Sequence, residues 1–229
     1  MVFPTILGVV LYSCEKSDDS GNENEIPSEP VNGDDSHGTS VDLGLSVLWA
    51  TCNIGATAPE GYGSYLAWGE IYENSTSHTQ DDCPFYDHGL NKYCPESNLS
   101  RGHQYYDRLT ILEPCDDAAH VRWGGCWRMP TKEEWEELLA NTTRTYSQIN
   151  GVTGMILTSN INGKSIFLPV NGYVDNREVS NYPNQFGCYW SSTPKDSICI
   201  HSLKLEKYAP SMSDYNCNYK LSVRLVKDY

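Results

Sequence analysis

Apolar residues are clustered along this chain, and the clusters predict its elements. Residues 1–14, MVFPTILGVVLYSC, form an uncharged apolar run, shorter than the ~20 residues that cross a hydrocarbon core. Residues 15–38 reverse the pattern and offer only Ile26 and Val31 for burial, so a flexible tether is expected there. From Thr39 the chain is β-leaning: Val41, Leu43 and Leu45 alternate, and Val47, Leu48 and Trp49 form a short apolar run. Pro59–Gly63 is turn chemistry, followed by the aromatic strand Tyr65–Trp68. Residues 71–113 are polar, tyrosine-rich and aperiodic, and a loop of that length is functional or pinned.

The pattern turns helical after Pro130. Thr131 is placed as an N-cap and Glu134 completes a capping box. Trp135, Leu138 and Leu139 then share one face, and Trp135 reads as a core anchor. A shorter helix is expected over Asp116–Val121. Strands follow at Met155–Thr158 and Ser165–Val170, joined through Asn162-Gly163, and at Cys188–Ser192, Ser197–Leu205 and Leu221–Val226. Parity breaks inside the second of these: Ile198 and Ile200 point one way, Leu203 and Leu205 the other. A bulge or burial on both faces is therefore required. The fold class predicted is α+β, with short antiparallel strands, two helices and long loops. Arg128 and Arg224 are expected to pair with carboxylates such as Glu134 or Glu136, and Glu70 to be structural.

Charge refines the division. The 229 residues carry 30 acidic and 16 basic side chains, a net −14, which argues against a nucleic-acid partner. Half of that excess lies in the tether, with eight acids and only Lys16 as a base. The 191 residues from Thr39 carry the other −7 and all six tryptophans, enough for one domain. The apolar start has the length of a signal-peptide core, without the usual basic n-region. Its end, Leu11-Tyr12-Ser13-Cys14, resembles the lipobox of bacterial lipoproteins. The resemblance implies lipidation of Cys14; an ordinary secretory signal is the other reading. The expected organisation is a signal (1–14), a tether (15–38) and a body (39–229), and the lipoprotein resemblance implies anchoring to the outer membrane through Cys14 with display at the cell surface.

Four ordered stretches carry a wider resemblance: VDLGLSVLWATCNIGATAPEGYGSYLAWGE, DDAAHVRWGGCWRMPTKEEWEELL, SIFLPVNGY, and YWSST followed later by SVRLV. Together they resemble the major paralogous domain (FISUMP) of bacterial surface lipoproteins. Arg128–Glu136 is similar to a hallmark of the related formylglycine-generating enzymes, whose fold is C-type lectin-like. The resemblance covers residues 40–226 and implies a twisted, lectin-like fold and surface display.

Catalytic chemistry is not apparent. GxSxG, HExxH and P-loop patterns are absent, and the surroundings of Cys188, Cys199 and Cys217 do not match the oxidase cysteine pair. A reactive thiol needs a cationic neighbour; Lys204 and His201 are the candidates. No catalytic residue, cofactor or metal site is assigned: Asp81, Asp82, Cys83, Asp87 and His88 cluster without ligand spacing. Setting Cys14 aside leaves eight cysteines, an even number that invites pairing. Cys83–Cys94 and Cys115–Cys126 are the local choices, and free buried thiols the alternative. Residues 194–220 are rich in Tyr, Ser, Asn and Asp, the composition of recognition loops. Asp196, His201, Tyr208, Ser213, Asp214, Tyr215, Asn216, Asn218 and Tyr219 are therefore the candidate ligand-binding residues. The expected function is non-catalytic binding of an extracellular glycan or protein. The alternatives are a structural envelope or pilus-associated subunit and a formylglycine-generating-type enzyme.

Overall fold

Strand pairing dominates the architecture. The computed structural model describes residues 39–73, 83–86, 90–94, 107–175, 178–179 and 185–229, within the unit Val31–Tyr229. Residues 1–38, with Cys14, and Asp81, Asp82, Asp87 and His88 lie outside the described residues. In chain order the elements are β1 (Ser40–Asp42), β2 (Leu48–Asn53), β3 (Tyr65–Leu66), α1 (Ala118–Trp123), β4 (Trp127–Arg128) and α2 (Lys132–Ala140). After these come β5 (Thr142–Ile149), β6 (Val152–Ser159), β7 (Ser165–Pro169), β8 (Val174–Asp175), β9 (Glu178–Val179) and β10 (Phe186–Pro194). The chain closes with β11 (Cys199–Glu206), β12 (Ser211–Asn216), β13 (Leu221–Ser222) and β14 (Arg224–Lys227). They build a four-stranded sheet (β1-β2-β14-β4), a five-stranded sheet (β12-β11-β10-β13-β3), a three-stranded sheet (β5-β6-β7) and the small pair β8-β9.

This corrects the expected α+β class: the fold is β-rich. Among the described residues, α-helix is confined to six residues in α1 and nine in α2, with one 3-10 turn at Pro114–Asp116. β6 and β10 are also longer than expected, at eight and nine residues, and β5, eight residues long, was not expected as a strand. Pairing is antiparallel except between β10 and β13, where Tyr189 lies beside Ser222 in parallel. The physical reason is that β5 and β12 are largely polar strands, without the apolar alternation that marks a strand in sequence.

The five-stranded sheet separates two hydrophobic cores. Cys188, Trp190 and Ile200 enter one, with Trp68, Tyr93 and Leu225; Tyr189, Leu203 and Leu205 enter the other, with Trp49 and Trp135. Two-sided burial thus resolves the parity break in β11. The register against β10 also shifts between Trp190 and Pro194. Val223 separates β13 from β14, so one apolar run serves two sheets.

Local signals around α2 are realised as expected. Thr131 accepts from the Glu134 N–H (3.2 Å), and the Glu134 carboxylate accepts from the Thr131 N–H (2.8 Å). Arg128 forms a two-pronged pair with Glu134 and reaches Asp228. Trp135 packs on Trp49 at 4.8 Å and donates its indole N–H to the Trp190 carbonyl (3.1 Å). Thr131→Ala is expected to lower stability by about 1 kcal/mol, read as a shift of the urea midpoint at unchanged slope.

Arg224 departs from expectation. It is fully buried, yet its partners are neutral: Asn53 Oδ1, the Ala50 carbonyl and the Phe167 carbonyl, each at 2.9 Å. Glu70 is structural, as expected. Its carboxylate accepts from the Ala67 N–H (2.8 Å) and faces Lys220 Nζ at 3.2 Å, both side chains being buried. Gly69, which sets this turn, has φ +83°, and an added Cβ would lie 2.2 Å from the Phe85 ring.

Candidate functional site

β12 is an edge strand of the five-stranded sheet, and its alternation divides the predicted site between two faces. His201 pairs in register with Asp214, and Cys199 with Asn216; Ser202 lies opposite Ser213, and Ile200 opposite Tyr215. His201, Asp214 and Asn216 therefore share one face, and Ser213 and Tyr215 the other. Tyr208 stands apart at the β11–β12 tip, 88% exposed, with Lys207 Nζ 5.2 Å from its ring.

The first face holds an ionic group. Asp214 binds His201 Nδ1 at 2.8 Å and also pairs with Lys195. Burial opposes ionisation of Asp214, but the bonds from Lys195 and His201 outweigh it and hold the carboxyl below its ordinary range. A depressed carboxyl pKa adds stability above the unfolded value, lost as pH falls through the folded value. The group is partly exposed, so solvent screens the effect. Asp214→Asn is expected to lower stability at pH 7 by less than about 1 kcal/mol. That difference should begin to shrink as pH falls below ~3.9 and vanish only below the lowered folded value, as urea titrations across pH would record. Asp196 is occupied in the fold, where its carboxylate accepts from the Ile198 and Cys199 N–H groups at 2.9 and 2.8 Å.

The second face gathers four half-buried rings. Asn216 Oδ1 accepts from the Asn218 N–H at 3.0 Å, and the Tyr219 N–H returns to the Asn216 carbonyl at 2.9 Å. This side chain-capped turn projects Tyr219. Reciprocal backbone bonds between Val174 and Lys220 (2.9 and 3.0 Å) bring Tyr173 beside it. Tyr173 stacks on Tyr219 at 5.4 Å with an interplanar angle of 4°, and on Phe186 at 5.7 Å. Tyr215 tilts against Tyr173 and Tyr219 at 5.5 and 5.9 Å. Lys204 Nζ lies 5.3 Å from the Phe186 ring and pairs with Glu206 at 2.5 Å. Asp175 hydrogen-bonds Tyr219.

Beneath the rings, the Cys188 thiol donates to the Tyr215 hydroxyl at 3.1 Å. Burial pushes this thiol up to about 12, against the hydrogen bond with Tyr215 and the charge of Lys204. Lys204 thus neighbours Cys188 as suspected but does not ionise it. Burial likewise raises the Cys94 and Cys199 thiols. Buried Asn171 supports the same floor: its Oδ1 accepts from the Cys188 N–H at 3.0 Å, while its Nδ2 has no acceptor among the described residues.

Among the predicted residues, Tyr215 and Tyr219 meet at this patch, Ser213 shares the strand face of Tyr215, and Asn216 and Asn218 shape the turn. Asp196, His201 and Asp214 lie on the opposite side, and Tyr208 at neither. Tyr173 and Phe186 escaped sequence reasoning, because only the pairing of distant segments brings them here. Cys83 and Cys94, expected to pair, are both buried thiols; Cys94 donates to the Leu90 carbonyl at 2.8 Å. Cys126 is an exposed free thiol, so the Cys115–Cys126 bridge is not formed. Glu113, Cys115 and Asp116 place ligand-type atoms within 4.8 Å, but both carboxylates already pair with Lys92.

The larger hollows lie elsewhere. Clefts of about 420 and 580 Å³ flank the Gly55–Gly63 loop, and one of about 380 Å³ is lined by Ile149, Ile156, Ile166 and Phe167. Size alone would favour them as binding sites. The first two are walled largely by backbone and small side chains, and Arg122 in the first is bonded to Ser64 Oγ at 3.2 Å. The aromatic patch instead combines ring faces with a charged rim. No described helix is long and apolar enough to cross a membrane. No family model matches the chain, and neither a curated protein nor a solved structure is significantly similar to it.

Proposed function

We propose that this chain is a surface lipoprotein of the major paralogous domain type, anchored through Cys14, whose body binds an extracellular glycan without catalysis. The observation that carries the reading is the patch of Tyr173, Phe186, Tyr215 and Tyr219. Tyrosine presents a large rigid contact at low entropic cost, apolar on its face and polar at its tip. The C–H faces of a sugar ring suit such surfaces, while Ser213, Asp175, Lys204 and Glu206 supply hydrogen-bonding groups at the rim. The upward shift of the buried Cys188 thiol favours a binding role over nucleophilic chemistry.

A glycan array probed with residues 31–229 tests the proposal. Bound glycans, with binding lost in Tyr219→Ala, are the expected result. A blank array would overturn the glycan reading, and co-purification with an envelope assembly would replace it with a structural role.

A further inference from the structure

Cys83 and Cys217 are 134 positions apart in sequence, yet the fold brings them together inside one core. Their surroundings are interlocked. Cys83 Sγ donates to the Trp68 carbonyl at 3.3 Å, and the Trp68 N–H donates to the Cys217 carbonyl at 3.0 Å. The Cys83 N–H is held in turn by Oδ1 of Asn218, the residue after Cys217, at 3.3 Å. The neighbouring Cys83 raises the Cys217 thiol well above its ordinary value, with burial acting in the same direction. Both side chains are almost completely shielded.

We propose that Cys83 and Cys217 become a disulfide when the chain folds in the presence of a disulfide donor. The Cys83 thiolate attacks one sulfur of the donor and releases a first thiol. The Cys217 thiolate then attacks the mixed disulfide and releases a second. The protein loses two hydrogens and two electrons, and the donor is reduced to two thiols. Bonding requires the sulfurs to close to about 2 Å, within a site where backbone bonds already fix both ends. Exchange takes place before the core closes, while the thiols are accessible, and burial then protects the bond from reductants. The bridge pins Cys83 to the turn that projects Tyr219. It differs from the bridges expected from local spacing, because Cys83 meets Cys217 rather than Cys94.

The test is to refold the full chain with oxidised glutathione, then denature it in N-ethylmaleimide without reductant and map the peptides. The expected product is lighter by two hydrogens, with Cys83 and Cys217 unlabelled and their peptides linked. Its Tm exceeds that of the reduced chain by about 10 °C, and Cys217→Ser abolishes the difference. Labelling of Cys83 or Cys217 in the oxidised protein, or linkage of either to another cysteine, would overturn the proposal. The mapping uses the unaltered chain, so it decides even if Cys217→Ser fails to fold.

Discussion

Replacing Arg224 with methionine is expected to destabilise the protein by about 3–5 kcal/mol. The side chain is fully buried on β14 and spends its donors on Asn53 Oδ1 and the Ala50 carbonyl of β2, and on the Phe167 carbonyl of β7. It therefore joins the four-stranded sheet to the three-stranded one. Methionine fills much of the volume but leaves three buried acceptors without their donor, and hydrogen bonds to charged groups are the stronger kind. Arg224→Lys should recover little, because a single ammonium cannot reproduce the planar fork. Urea unfolding followed by tryptophan fluorescence measures the loss; a change below about 1 kcal/mol would show that the guanidinium is not a structural tie.

Lys220→Met is expected to cost about 3–5 kcal/mol. The ammonium faces the buried Glu70 carboxylate at 3.2 Å, and removing one member of a buried pair leaves the desolvation penalty of the other. The Lys220 backbone meanwhile holds Val174 and thereby sets Tyr173 against Tyr219. The double variant Glu70→Gln/Lys220→Met should recover much of the loss, since a buried ion pair is often replaceable as a unit. A double-mutant cycle reads the coupling directly; additive losses would show that the two side chains act independently.

What was legible in the sequence is what local chemistry determines. The α2 cap depends on Thr131 and Glu134, three positions apart, and the Arg128–Glu134 pair on residues six apart. The contradictory parity of Ile200 against Leu203 and Leu205 correctly signalled burial on both sides of β11. Strand β5 escaped notice because Thr142 alone is fully buried among its eight residues. Its signal was present in the Asn150-Gly151 turn, where φ values of 49° and 82° form a tight hairpin. Missing β5 and β12 is what tilted the expected class toward α+β. Arg224 was assigned a carboxylate partner because charge suggested one, whereas the fold answers it with carbonyl dipoles from two sheets. The site followed the same division: Tyr215 and Tyr219 come from one composition-biased segment, but Tyr173 and Phe186 arrive through long-range pairing. The nine predicted residues fall within one segment, 196–219, and alternation along β12 places those on the strand on opposite faces.

The central claim is that the four-ring face, rather than the tip of the β11–β12 hairpin, holds the ligand. Calorimetric titration of the strongest array glycan against Tyr219→Ala and Tyr208→Ala tests it most directly. The account predicts affinity about 30-fold weaker for Tyr219→Ala, near the 2 kcal/mol of an aromatic hot spot, and unchanged affinity for Tyr208→Ala. Undiminished binding by Tyr219→Ala would contradict it.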